Sequence, residues 1–467
     1  MTDGPFMSVE ALSKALDTRQ LSPKELFEDT LKSIERLEPT LNMFACLDID
    51  GARKAAEAAE GRQMRGERLS AIDGIPTSIK DLIASKDLPL RFGSKATPET
   101  PVAEDAPAVD RLRAAGAVLL GKSTTSEFGC KAVGDSPLTV ITRNPWNTDL
   151  TPGGSSCGAV AMVASGIVPY AIGTDGGGSI RIPASLTGLF GIKAQFGRVP
   201  VYPVSATPTL AHVGPLARSV EDAALILSII AGHDRRDPFS VAGPVPNFEA
   251  AARSNRTMRV AYSPTLGFAR PDPEVKAAVD VAAKTIADLG HHVEEVDTVM
   301  DDPIHMWVAE FYAGVGTRLR AVIEGAPEKL DPAVLEVLRE AINQEMGDYY
   351  ATVFERYQFR DQMRRFFERY DLLISPTVPV AAFPVGQNMP ESLSDRSIVS
   401  WVFYTYPFNL TGQPAASINV GFTADKRPIG MQMVSGINDE VSILALSGAL
   451  ERALPAEVTK ARPPLHA

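Results

Sequence analysis

Two spacings of apolar positions run along the chain. After Ser22-Pro23-Lys24-Glu25, Leu26, Phe27, Thr30, Leu31, Ile34 and Leu37 recur every three or four residues. This predicts a helix capped by Ser22, with Pro23 in its first turn, Glu25 closing a capping box and Pro39 as its stop. Helices are also predicted over 51–65 (solvent-facing), 106–115, 159–165, 274–289 (ended by Gly290) and much of 303–370. Short apolar runs predict strands at 42–47, 75–79, 117–120, 168–172, 259–262, 372–374, 416–420 and 429–434. Strands alternating with helices imply an α/β architecture. The Pro- and Gly-rich stretch 232–256 reads as a long surface connection, and the chain shows neither internal repeats nor low-complexity tracts.

Composition narrows the function classes. The 467 residues are 45% apolar, enough for a large core, and length alone suggests about three domains. A net charge of −11 without a basic run argues against nucleic acid and anionic membranes as partners. The longest apolar run, 223–231, is too short to span a bilayer. Met1–Ala11 lacks a secretory pattern, and Cys46, Cys130 and Cys157 form no C-x-x-C pair. These features predict a cytoplasmic protein with neither a disulfide framework nor a structural zinc site, and no metal-ligand motif occurs.

Two motifs are misleading. Gly116 to Ser123 fits G-x-x-x-x-G-K-[ST], but its middle residues form a predicted strand where a phosphate loop needs a polar cradle. Gly154-Ser155-Ser156-Cys157-Gly158 fits the G-x-S-x-G elbow of α/β-hydrolases, which would make Ser156 the nucleophile of an esterase. That reading needs a histidine, and His212 and His305 are the candidates outside surface turns or the terminus.

More informative is Gly173-Thr174-Asp175-Gly176-Gly177-Gly178-Ser179-Ile180-Arg181. Three glycines before a serine present successive N–H groups that can hold an oxyanion while the serine attacks the same carbonyl. A plain Gly-rich turn before a helix is the competing reading. Ser179 needs a base, and Lys80, at the end of the 75–79 strand, would be made basic by desolvation. Taken alone, a solvent-facing lysine or a pair with Asp81 accounts for Lys80 better.

These segments together resemble the amidase signature family: Gly74-Ile75-Pro76…Lys80-Asp81, Pro152-Gly153-Gly154-Ser155-Ser156, and Gly173 through Pro183. The pieces at 115–122, 142–146, 214–218 and 409–414 resemble it too, so the likeness covers nearly the whole chain and is strongest over 70–220. The resemblance implies one domain over 1–467, with N-terminal helices in 8–66 and catalytic motifs in 70–220. Its fold would be a single α/β/α unit with a large mixed, twisted sheet flanked by helices. The implied chemistry is a Lys80–Ser155–Ser179 triad with Ser179 as nucleophile, a cis Gly154–Ser155 peptide, and an oxyanion hole from the N–H groups of Gly176, Gly177, Gly178 and Ser179. Ser156, Asp175 and Arg181 would support the loop, and Gly129 and Cys130 would neighbour the substrate. The family has Gly-Gly after the paired serines, where this chain has Cys157-Gly158, which is read as local packing.

No cofactor is implied. The resemblance points to a stand-alone amidase acting on a small amide, anilide or hydrazide, with Phe196-Gly197-Arg198-Val199-Pro200 resembling stand-alone members. The alternatives are the glutaminase-type subunit of a tRNA-dependent amidotransferase, which needs partner chains, and a scaffold without turnover. A homodimer through residues 8–37 is compatible with this pattern.

Overall fold

The computed structural model describes residues 6–466; the first residues of the stretch read for a leader, and the last residue, lie outside them. Eleven strands form one sheet: β1 (Phe44–Leu47), β2 (Pro76–Lys80), β3 (Val118–Ser123), β4 (Tyr170–Asp175), β5 (Phe190–Lys193), β6 (His212–Ala217), β7 (Arg259–Tyr262), β8 (His292–Glu295), β9 (Leu372–Pro376), β10 (Ala415–Phe422) and β11 (Pro428–Ser435). Their order is β1-β3-β2-β4-β6-β5-β10-β11-β9-β7-β8. The sheet is mixed: β2 runs parallel to β3 and β4, and β7 to β8 and β9, while the other pairings are antiparallel.

Both faces of the sheet are buried away from its edge strands β1 and β8, so the inner strands carry apolar residues at successive positions. In β4, Tyr170 and Ile172 join one core with helices Val220–Ile230 and Glu440–Ala453, while Ala171 joins a second core with helices Pro23–Leu41 and Cys157–Ala164. In β9, Leu372 and Ile374 point one way and Leu373 the other, into a third core under helix Ile304–Gly325. The period-two alternation of a strand thus divides its residues between helix layers on opposite faces.

The predicted capping box is present: Glu25 N–H donates to Ser22 Oγ at 3.1 Å, and Ser22 N–H to the Glu25 carboxylate at 2.8 Å. Pro39 does not stop this helix, which runs through it to Leu41. The stop is Asn42, in the left-handed region, while the Glu38 carboxylate accepts from Met43 and Phe44 N–H and closes the end. Helix Ile49–Arg65 buries Ala52, Ala56, Ala59 and Gln63, so only its other side faces solvent. The 232–256 connection holds a short helix, Phe248–Ala252, anchored by buried Phe248.

The apolar pattern does not predict strands β5 and β6. Gly214 and Pro215 in β6 argue against a central strand. The position is tolerated because β5 pairs with β6 only through Ala217 and Leu216, and Gly214 packs so close that a Cβ there would meet Ile192 O at 2.2 Å.

The Gly116–Ser123 segment contains strand β3, in keeping with its apolar middle. Lys122 is fully buried, hydrogen-bonded to Ile83 O and 3.5 Å from Asp81.

Candidate active site

The site lies where the C-terminal ends of the parallel strands β2 and β4 meet the start of helix Cys157–Ala164. Lys80 ends β2 and is completely buried. Its Nζ is 2.7 Å from Ser155 Oγ and 2.9 Å from Thr174 Oγ1, and Ser155 Oγ is 2.9 Å from Ser179 Oγ. Burial lowers the Lys80 pKa from 10.5 to about 7, partly opposed by Cys157 and Asp175. An amine with that pKa is substantially neutral at neutral pH and can accept a proton. The Gly154–Ser155 peptide is cis, as the resemblance implied.

Ser156 faces away from this chain of groups. Its Oγ donates to Thr174 O at 3.2 Å and receives Thr174 N–H at 3.3 Å, clamping the turn to β4. The elbow reading is corrected here, because neither histidine reaches it. His212 is held at Leu210 O and beside Lys193, and His305 pairs with Glu355 on the surface. Cys157 begins its helix, packed 3.5 Å from Thr124 Oγ1.

The glycine loop is gripped by side chains far away in sequence. Trp307 Nε1 donates to Gly176 O at 2.8 Å and Thr405 Oγ1 to Gly177 O at 2.7 Å. A Cβ at Gly176 would lie 2.8 Å from Phe311, at Gly177 2.8 Å from Trp307, and at Gly178, with φ +129°, 2.3 Å from Thr405 Oγ1. All three positions therefore demand glycine. With two carbonyls held, the N–H groups of Gly176, Gly177 and Ser179 meet no acceptor among the described residues. Gly178 differs: its N–H donates to Asp175 Oδ1 at 2.8 Å, so it is already committed and is removed from the expected set of oxyanion donors.

Asp175 and Arg181 form a fully buried, two-bond pair at 2.9 and 3.0 Å. Burial pushes the Asp175 carboxyl up, but the Arg181 guanidinium overcomes this and holds it well below the usual carboxylate range. Arg181 continues to Thr405 O, Gln432 and Asn409, so the pair ties the loop to β11 and to residues 405–409.

A cavity of about 250 Å³ opens over Ser155, Thr174 and Ser179. Its lining is mainly apolar, including Leu82, Tyr202 and Phe311, with Phe92 and Phe128 stacked at 5.7 Å. Gly129 lines it, its Cβ position 3.2 Å from Ser155 Oγ. Cys130 does not: its buried thiol turns into the core, and its carbonyl accepts from Tyr312 OH at 3.1 Å. Thr174, Trp307, Phe311, Thr405, Asn409 and Gln432 escape the sequence reading as site residues. The unbroken glycine triplet is the available signal that bulky groups approach from outside.

The mixed α/β sheet thus brings a buried lysine and two serines together beside a glycine loop. The amidase family model matches residues 25–444, and the chain belongs to this amidase signature family, hydrolases of amide C–N bonds. It is 33% identical to an acylamidase of Rhodococcus erythropolis, covering 96% of both chains. It is 35% identical to a glutamyl-tRNA(Gln) amidotransferase subunit of Chloroflexus aggregans, covering 97% of both. Among solved structures, a bacterial aryl acylamidase superposes with a TM-score of 0.90 at 29% identity, covering 98% of this chain and 99% of that one. No helix among the described residues is long and apolar enough to cross a membrane.

Changing Gly177 to alanine is expected to lower kcat by about 100-fold, because the methyl collides with Trp307 and displaces the N–H group that the resemblance assigns to the oxyanion hole. Steady-state kinetics with an unchanged melting temperature would attribute the loss to the loop; unaltered kcat would remove Gly177 from the oxyanion hole.

Proposed function

We propose that the protein hydrolyses small apolar carboxamides, of the anilide, aryl-amide or hydrazide type, through an acyl-enzyme on Ser179. The supporting observation is the contact chain from Ser179 Oγ through Ser155 Oγ to buried Lys80 Nζ, at 2.9 and 2.7 Å. Neutral Lys80 takes the proton of Ser155, and Ser155 takes that of Ser179, as Ser179 Oγ bonds to the carbonyl carbon. The N–H groups of Gly176, Gly177 and Ser179 meet the oxyanion. The C–N bond then breaks as the proton returns through Ser155 to the leaving nitrogen. Water repeats the sequence to release the acid and regenerate Ser179. Thr174 Oγ1, 2.9 Å from Nζ, steadies the lysine throughout.

The glutaminase reading is less well supported. Free glutamine brings an ammonium group, and Asp175, the one acidic lining residue among the described residues, is neutralised by Arg181. The purified chain alone should release aniline from simple anilides and leave glutamine intact. Ammonia release from glutamine only when further subunits are added would instead support the amidotransferase role.

A further inference from the structure

Helix Ile304–Gly325 forms one wall of the cavity through Phe311, Val315, Arg318 and Leu319. These positions share one helix face. Phe311 packs on the glycine loop, so this end of the wall marks where the scissile carbonyl sits. Arg318 lies seven residues further on, about 10 Å along the axis. It is exposed, and among the described residues it has neither an ion pair nor a hydrogen bond. Its neighbour Arg320, by contrast, pairs with Glu324 and donates to Ile342 O.

The other ionisable groups of the lining with a charge or a ring nitrogen are engaged. Asp175 is bound by Arg181, and the His212 ring is held by Leu210 O and Lys193. Arg318 is therefore an unpaired cation at the rim of apolar walls, where low-dielectric surroundings focus its field on whatever enters.

We infer that Arg318 is a specificity-determining residue that selects amides whose apolar body ends in a carboxylate at the cavity mouth. The inference rests on the amidase reading and adds the chemistry of the substrate's distal end. A guanidinium matches a carboxylate by two parallel hydrogen bonds, which a neutral group of the same shape does not supply.

The test compares kcat/KM for two matched pairs: 4-carboxyphenylacetanilide with 4-nitrophenylacetanilide, and the acetamides of 4-carboxybenzylamine and 4-nitrobenzylamine. The pairs place the charge on the acyl or the amine side, and nitro is a neutral isostere of carboxylate. The wild type should favour the carboxylate about tenfold in one pair, mainly through KM. Arg318→Gln should bring that ratio near one, and Arg318→Glu should invert it, while Arg320→Gln keeps it. A wild-type ratio near one in both pairs, or a ratio unmoved by Arg318→Glu, overturns the inference while the amidase reading stands. Hydrolysis of none of the four, with Ser179 unlabelled by an acylating probe, overturns the amidase reading and this inference with it.

Discussion

Ser179→Ala and Lys80→Met should each lower kcat for an amide by about 10⁵-fold or more, because in the proposed mechanism they form a nucleophile–base unit, whose members fail together. Intact mass after exposure to an acylating probe should show one adduct on the wild type and none on Ser179→Ala. Persistent labelling mapped to Ser156 would refute the assignment. The two variants separate in other respects. Only the neutral amine can accept the Ser155 proton, so wild-type kcat/KM should rise with pH through about 7 and then level off.

Removing Lys80 moves stability the opposite way from activity. The unfolded chain keeps this lysine protonated up to 10.5, whereas the folded protein releases the proton near 7. Between these values the unfolded state binds more protons, so stability rises with pH across that window, and the burial cost is full below it. A lowering from 10.5 to about 7 corresponds to about 5 kcal/mol at most. Lys80→Met also forfeits contacts with Ser155 and Thr174, leaving an expected gain of about 2 kcal/mol at neutral pH that fades toward pH 10. Urea denaturation at pH 7 and pH 10 reads this directly; a destabilised Lys80→Met at pH 7 would show that desolvation does not set the lysine's pKa.

The second large effect is on folding. Asp175→Asn should cost about 3–5 kcal/mol, because it leaves the Arg181 charge buried without its counter-ion. The carboxylate also accepts from Gly178 and Ile180 N–H and from Asn409 Nδ2, at 2.8, 3.3 and 2.9 Å, and an amide NH₂ would face donors at one of these positions. Because Arg181 depresses the Asp175 pKa, the wild type holds this stabilisation above about pH 4 and loses it as pH falls further. A urea midpoint for Asp175→Asn matching the wild type would refute the pair's role.

Much of the fold is legible because burial on both sheet faces imposes continuous apolar runs, and these stand out at 117–120, 372–374 and 429–434. The pattern fails where local signals compete with distant contacts. Pro39 reads as a stop, yet the helix end is set by Asn42 and the Glu38 carboxylate. Strand β6 goes unpredicted because Gly214 and Pro215 are poor strand formers, yet neighbours on both sides hold it extended.

At the site, the resemblance of three sequence segments to the amidase signature family singles out Lys80, Ser155 and Ser179, while the glycine triplet announces its chemistry in consecutive backbone groups. Tertiary structure alone decides which donors remain free. Gly178 N–H is taken by Asp175, a contact three residues away that depends on how the loop turns. Tertiary structure also decides that Trp307 and Thr405 hold the loop carbonyls, that Cys130 faces the core while Gly129 faces the cavity, and that Arg318 stands at its mouth. Sequence periodicity reports which side of an element is buried. Which group meets it there depends on chain segments hundreds of residues away, and those meet only when the sheet assembles.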